Sequence, residues 1–194
     1  MMPSRIQIRI TWSFLAIIFC SAPGAHAGKP LSQAAWGKKV AASARWYLET
    51  QPKIKRKDCS GLVIQILKRV GAKSGGGSRH MYQRAKKEGR LSKKPQVGDL
   101  VFFNNSYDAN RNQKPDDTHT HVAVLIEIRK DQTLVMVHRG SKGIVELHMN
   151  LKNPKLSKKG KQVLNDVLRS SKTYPNHPKR LTAELFSGFA RPPN

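Results

Sequence analysis

Residues 55–71 read KRKDCSGLVIQILKRVG, and they place a cysteine at the point where a helical pattern of apolar residues begins. From Leu62 onward the large apolar residues recur at i, i+1, i+4, i+5 and i+8, which is one face of a helix. Asp58 stands where an N-cap is expected, and Gly71 stands where the pattern ends. The stretch therefore predicts an amphipathic helix that starts at about Cys59 and buries one face in a core.

Cys59 has surroundings that favour a reactive thiol. A cysteine in the first turn of a helix lies at the positive end of the helix dipole, beside N–H groups that lack a partner within the helix. These groups and the cations at positions 55–57 are expected to lower the thiol pKa, and the N–H groups can also stabilise an oxyanion. Taken alone, the position leaves two interpretations open, a nucleophile or a small buried core residue.

Further helices are predicted before and after this stretch. Residues 31–49 are rich in alanine, with apolar residues at helical spacing, Ser32 as a possible N-cap and Pro52 closing the segment. Residues 80–89 predict a short basic helix after a glycine-rich loop, and residues 157–170 also have a helical pattern.

The strands come later in the chain than the first helices. Short β-rich runs stand at residues 100–103, 121–128, 134–138 and 144–149. Hairpin-sized turns separate the last three runs, a polar loop of residues 104–118 follows the first, and residues 185–194 predict a last strand. Helices first and strands later predict an α+β fold with an antiparallel sheet, in one domain.

Two histidines mark the ends of neighbouring predicted strands. His121 opens one apolar run, and His138 closes the next. Antiparallel pairing brings the start of one strand beside the end of the other, so we expect the two imidazoles to be neighbours. A cysteine hydrolase needs an imidazole beside its thiol and a polar group that fixes the tautomer of that imidazole.

Four short motifs follow one another along the chain. They are DCSGLV at residues 58–63, GDLVFF at 98–103, HVAV at 121–124, and VH at 137–138 followed by two glycines. In this order they resemble the signatures of the NlpC/P60 cysteine peptidases, whose general plan the CHAP amidases share. The resemblance covers about residues 58–149.

The resemblance implies a papain-like α+β fold and hydrolysis of amide bonds in peptidoglycan stem peptides through a thioester acyl-enzyme. By position, it makes Cys59 the nucleophile, His121 the general base that later protonates the leaving amine, and His138 the residue that orients His121. It implies no cofactor. Family members commonly carry a glycine-proline-tyrosine stretch before the cysteine. Here QPKIKRK occupies that region, and Tyr47 is the nearest tyrosine.

Two other functions remain as alternatives on the same scaffold. One is a CHAP-like N-acetylmuramoyl-L-alanine amidase, which would use the same thiol on a different amide bond. The other is a cationic protein that binds the cell wall without cleaving it.

The segment DDTHTH at residues 116–121 offers an alternative metal site, because two histidines two apart on a strand point to one face. Its ligands would be Asp116, Asp117, His119 and His121. The carboxylates fall in a predicted loop and no further ligand motif accompanies them, so we expect no metal ion. His119 also remains an alternative to His121 as the base.

The other polar candidates are expected to have structural roles. Ser60 is predicted to make a hydrogen bond at the helix start, and Asp99 to open its strand. The histidines outside the motifs are expected on the surface or in loops: His80, His148 and His177.

The N-terminal residues have the pattern of a signal peptide. Arg5 and Arg9 precede an apolar run at residues 10–20, and Ala-His-Ala at 25–27 fits a cleavage site. The run is shorter than the roughly 20 residues that a membrane span needs. We therefore predict a signal peptide at residues 1–27, a single catalytic domain at 28–194, and export to the periplasm or the medium. Cleavage would leave Cys59 as the only thiol.

The composition is strongly basic, with 36 lysines and arginines against 12 acidic residues and a formal net charge of +24. Loss of the two arginines at the N-terminus would leave +22, spread along the chain. Such charge attracts polyanions. No nucleic-acid-binding module is recognisable, so we expect anionic cell-envelope polymers as partners, with no specific nucleic acid, no stable membrane anchor and a monomeric state.

Overall fold

The computed structural model describes residues 31–194, so the predicted signal peptide at residues 1–27 lies outside the described residues. The elements, in chain order, are α1 Gln33–Thr50, α2 Cys59–Arg69, α3 Ser78–Lys87, β1 Leu91–Ser92, β2 Leu100–Phe103, β3 His121–Ile128, β4 Leu134–Gly140, β5 Gly143–Met149, β6 Lys158–Lys159, β7 Gln162–Val163, α4 Thr182–Leu185 and β8 Phe186–Ala190. Within this part of the chain, no helix is both long enough and apolar enough to span a bilayer.

The predicted caps determine where the first two helices begin. The Ser32 side chain accepts a hydrogen bond from the backbone N–H of Ala35, and α1 ends at Thr50, followed by Gln51 in a left-handed conformation. The Asp58 carboxylate accepts from the N–H of Gly61 at 2.6 Å, so α2 starts at Cys59 as predicted. Each cap satisfies an N–H group that the helix leaves without a partner.

Six strands form one antiparallel sheet in the order β1-β8-β2-β3-β4-β5. The predicted strands and the α+β class are confirmed. The last strand of the chain, β8, lies inside the sheet between β1 and β2. Residues 186–190 are therefore part of the sheet rather than an appendage.

The core has two layers, one on each face of the sheet. Helices α1 and α2 bury Val40, Leu62 and Ile66 against the inward residues of β2, β3 and β4. On the other face, a second cluster joins the sheet to α4 through Leu185. Burial of each such side chain contributes about 1.5–3 kcal/mol, so these contacts fix α2 firmly on the sheet.

Two glycines allow α1 to approach the turn before β2. A Cβ atom on Gly98, which has a φ of +95°, would lie 2.2 Å from the carbonyl oxygen of Gly37. A Cβ on Gly37 would lie 2.3 Å from the carbonyl oxygen of Val97. Larger residues at these positions would push the helix away from the sheet.

The predicted helix at residues 157–170 was wrong. The segment forms the short hairpin β6–β7, which turns at Gly160 with a φ of +59°. After the hairpin, the Asn165 side chain donates to the carbonyls of Asn153 and Leu156 at 2.8 and 2.7 Å. The apolar spacing suited a helix, but the glycine and the asparagine side chain stabilise another backbone path.

Candidate active site

Cys59 is the first residue of α2, and its position is fixed by the contacts of its neighbours. The Asp58 carboxylate accepts hydrogen bonds from Ser60 Oγ at 2.8 Å and from Arg56 Nε at 2.6 Å. The loop before the helix packs so closely that a Cβ on Gly61 would lie 2.0 Å from the carbonyl oxygen of Arg56. The predicted role of Ser60 is confirmed, and the first turn of α2 is a tightly packed platform for the thiol.

The thiol pKa is raised, not lowered as the sequence predicted. Burial is the largest cause, and the negative charge of Asp58 adds to it. The backbone N–H groups of Val122 and Ser60 act in the opposite direction but do not outweigh burial. Arg56 lines the same cavity but pairs with Asp58, and a cation paired with a carboxylate has little effect on a third group. Cys59 therefore rests as a neutral thiol.

His121 and His138 lie side by side, as the hairpin predicted. Strands β3 and β4 pair in antiparallel fashion, and the Nε2 atom of His121 is 2.9 Å from Nδ1 of His138. Both side chains are buried, and their rings meet at an interplanar angle of 72°. This contact uses one nitrogen of His121 and leaves its Nδ1 free to accept a proton from another group.

Both imidazoles are neutral at pH 7. Burial lowers the pKa of His138 to about 4. Burial and then repulsion from His138 lower the pKa of His121 to about 3. The site therefore combines a neutral thiol with two neutral imidazoles, because the dry interior disfavours every charged form.

The thiol lies against the start of β3. The backbone N–H of Val122, which follows His121 in the chain, lies close enough to the thiol to act on its pKa. Within residues 31–194, neither imidazole makes a direct hydrogen bond to the thiol. The arrangement thus brings Cys59 next to the backbone that carries His121.

A cavity of about 390 Å³ opens at Cys59. Its walls come from the first turns of α2 and α3 and from the loop at residues 104–120. Arg56 and Arg79 both line it, and Arg56 is paired there with Asp58. Arg79 and the loop residue Tyr107 carry no signal in the sequence, because only the fold brings α3 and this loop to the thiol.

His119, the alternative base, also lines the cavity. Its backbone is left-handed, with a φ of 52°, and its ring stacks on Tyr82 with 3.6 Å between centroids. Burial and the cation of Arg79 lower its pKa. His119 therefore shares the cavity with Cys59, whereas His121 holds the contact with His138.

The acidic residues of DDTHTH act in the loop rather than in a metal centre. Asp117 is buried and accepts hydrogen bonds from the Tyr174 hydroxyl and the backbone of Ala109. Asp116 is exposed and accepts from asparagine side chains of the same loop. Among residues 31–194, no three histidine, cysteine or acidic side chains stand close enough to hold a metal ion.

Two further residues named from the sequence, Asp99 and Tyr47, lie outside the cavity. Asp99 is buried at the start of β2 and pairs with Arg191, a structural role as predicted. Tyr47 is buried in the core cluster and does not line the cavity, so it does not replace the family's tyrosine at the oxyanion site.

His148 was wrongly expected on the surface or in a loop. It lies in β5, half-buried, with Nδ1 2.9 Å from the carboxylate of Asp166. This hydrogen-bonding partner, 18 residues along the chain, explains why an isolated histidine occupies a strand here. His80 is exposed on α3, and His177 lies in a loop, half-buried.

Residues 36–164 match the sequence model of the NlpC/P60 family. This span is more than half of the chain and contains Cys59, His121 and His138. The chain belongs to the NlpC/P60 family. The predicted family and fold are therefore confirmed. NlpC/P60 proteins are generally cysteine peptidases and amidases of the cell wall. The roles of the three residues and the bond that is cut stay predictions.

Other comparisons add little. No curated protein matches the chain. A solved structure titled "The crystal structure of Ly7917" is 10% identical, covers 81% of this chain and 62% of its own, and has a TM-score of 0.44. A likeness of this size carries no argument about activity, so the assignment rests on the NlpC/P60 match.

Proposed function

We propose that this NlpC/P60 protein is a cysteine peptidase that hydrolyses amide bonds in peptidoglycan stem peptides. The observation that carries the proposal is the 2.9 Å contact between His121 and His138, at the start of the strand that touches the Cys59 sulfur. A thiol, a neutral imidazole and a second imidazole that fixes its tautomer are the parts that acyl transfer requires.

The proposed reaction begins from the neutral state. As the Cys59 sulfur attacks the carbonyl carbon, its proton moves to Nδ1 of His121. The leaving amine then takes this proton as the amide bond breaks, and a thioester remains on Cys59. Water, deprotonated by His121, hydrolyses the thioester and restores the thiol.

His138 orients His121 before the proton transfer and stabilises the charge that His121 then gains. With a proton on Nε2, His121 donates to Nδ1 of His138 and keeps its own Nδ1 free as an acceptor. Once His121 is charged, this hydrogen bond becomes charge-assisted, and such bonds contribute about 1.5–3 kcal/mol. Backbone N–H groups at the first turn of α2 and at Val122 are the donors available to the oxyanion.

The same site fits the related activity of an N-acetylmuramoyl-L-alanine amidase, which cuts the bond between sugar and peptide. A binding protein without activity is the alternative from another class.

One observation favours wall binding in addition to cleavage: residues 151–162, around the β6–β7 hairpin, are all exposed and contain five lysines and no acid. We call this surface the lysine hairpin, and we propose that it adheres to anionic cell-envelope polymers.

We also propose that residues 1–27 are a signal peptide and that residues 28–194 act, as a monomer, in the periplasm or the medium. The charge pattern of the N-terminus supports export. Mass spectrometry of the protein recovered outside the cytoplasm tests this, because cleavage after Ala27 would give a new N-terminus at Gly28.

Digestion of purified peptidoglycan with residues 28–194 tests the activity. We expect mass spectrometry to find new amino and carboxyl ends within the stem peptides, and Cys59→Ala to abolish them. New ends between sugar and peptide would instead identify the amidase. If the wild-type protein leaves the polymer intact at neutral pH under reducing conditions but sediments with it, the binding alternative replaces the peptidase.

A further inference from the structure

The loop at residues 104–120 forms one wall of the Cys59 cavity, and it contains no helix or strand. Its shape therefore depends on specific hydrogen bonds, and Asp117 makes a central set of them. The buried carboxylate of Asp117 accepts a hydrogen bond from the N–H of Ala109 at 2.9 Å. The backbone carbonyl of Asp117 accepts a second one from the N–H of Asn105 at 2.8 Å. The guanidinium of Arg79, which lies on α3, is 3.8 Å from the other carboxylate oxygen, Oδ1 of Asp117.

Tyr174 reaches this loop from a distant part of the chain. Its hydroxyl donates to Asp117 Oδ2 at 2.6 Å and lies 3.3 Å from the carbonyl oxygen of Tyr107, which lines the cavity. Tyr174 is 4% exposed. Burial and the contact with Asp117 raise its pKa, so the hydroxyl remains a donor throughout the neutral range. One side chain thus contacts two points of the loop that forms this wall of the cavity.

The segment that carries Tyr174 is itself rigidly held. Tyr174 has a left-handed backbone, with a φ of 51°. The fully buried guanidinium of Arg169 donates to four backbone carbonyls around it, those of Thr173, Tyr174, His177 and Lys179. An arginine buried without an acid partner is costly unless its donors are satisfied, and here the loop backbone satisfies them. The arrangement fixes the loop that presents the hydroxyl.

From these contacts we infer that Tyr174 is a positioning residue, which holds the 104–120 loop in the shape that binds the substrate. It stands in the part of the chain beyond the family match, which ends at residue 164. Tyr174 acts through Asp117 and Tyr107 and has no contact with Cys59, His121 or His138. Its loss should therefore weaken substrate binding and leave the chemical step nearly unchanged.

The inference rests on the proposed function for its kinetic test. Tyr174→Phe removes only the hydroxyl, and we expect KM for a soluble stem peptide to rise about tenfold while kcat stays within about twofold. Tyr47→Phe is the matched control, because Tyr47 is also buried but lies outside the cavity. An unchanged KM in folded Tyr174→Phe would overturn the inference, and so would an equal rise in the control.

Alkylation of Cys59 gives a second readout that needs no catalysis. We would compare the rate with iodoacetamide, a small reagent, with the rate for a bulky fluorescein maleimide. A loosened wall should raise the rate for the bulky reagent severalfold relative to iodoacetamide in Tyr174→Phe, and an unchanged ratio would refute the inference.

This readout separates the two hypotheses, because it still applies if the protein cleaves no peptidoglycan. If Tyr174→Phe fails to fold, Asp117→Asn is measured in the same way. It retains an acceptor for Tyr174 but loses the charge of the buried carboxylate, so we expect a smaller change in the same direction, and no change would refute the inference.

Discussion

Gly140→Ala would test whether the orientation of His138 matters for catalysis. Gly140 is the last residue of β4, and a Cβ at this position would lie 3.0 Å from Cε1 and 3.5 Å from Nε2 of the His138 ring. The contact with Cε1 is shorter than ordinary van der Waals separations of about 3.5–4.0 Å. The added methyl group must therefore push the imidazole by roughly 0.5 Å, if carbon contacts are to reach that range.

The displacement has a direct effect on the histidine pair. A movement of this size lengthens or bends the 2.9 Å contact between His138 and His121. Since a misplacement of 1 Å can cost about 100-fold in rate, half of that shift should reduce kcat about tenfold. The free energy of unfolding should fall by only about 1 kcal/mol, because no cavity or unpaired charge is created.

The assay is kcat for a soluble stem peptide at pH 7, with urea unfolding as the check on stability. Gly75→Ala is the control, because a Cβ there meets nothing within 4 Å and Gly75 lies in an open loop. A folded Gly140→Ala protein with the kcat of the wild type would refute the reasoning. It would mean that His138 either does not orient His121 or tolerates the shift.

Three further predictions follow from charge and burial. Because the Cys59 pKa is raised above 9.0, the rate of its alkylation by iodoacetamide should still rise between pH 8 and pH 9.5, and a plateau below pH 7 would contradict a neutral resting thiol. Because the pKa of His138 falls from 6.5 to about 4 on folding, its neutral form contributes stability that is full above pH 6.5 and is lost as the pH falls towards 4. Urea unfolding should show a loss of about 2 kcal/mol from His138 between pH 7 and pH 5, and His138→Gln should lack this part of the loss. Replacement of Lys158 and Lys159 by serine should weaken sedimentation with purified wall polymers and reduce the salt dependence of binding, while activity on a soluble peptide stays the same. If the variant and the wild type bind equally at every salt concentration, the lysine hairpin is excluded as the contact.

Local patterns were enough to predict the elements that carry the candidate site. Residues 121–128 are rich in apolar and β-branched side chains, which predicted β3, and the turn after them predicted its pairing with β4. From that pairing the contact between His121 and His138 followed, because antiparallel geometry relates the two strand ends. Asp58 likewise predicted the start of α2, since a cap acts within four residues of the chain.

Features that depend on distant partners could not be predicted. The raised pKa of Cys59 results chiefly from burial, and burial depends on distant packing partners that leave no local sequence pattern. The contact between Tyr174 and Asp117 joins residues 57 positions apart. In residues 157–170 the apolar spacing gave a helical signal, but Gly160 and the side chain of Asn165 determined the backbone instead.

The place of β8 in the sheet has a consequence for biosynthesis. This strand follows every other described element in the chain, yet it lies between β1 and β2. Until the ribosome has made residue 190, β2 has an open edge and the main sheet is interrupted. Contacts between positions about 90 residues apart, such as Leu100 with Ala190, also close slowly. The nascent chain therefore completes its sheet only after synthesis has passed this strand.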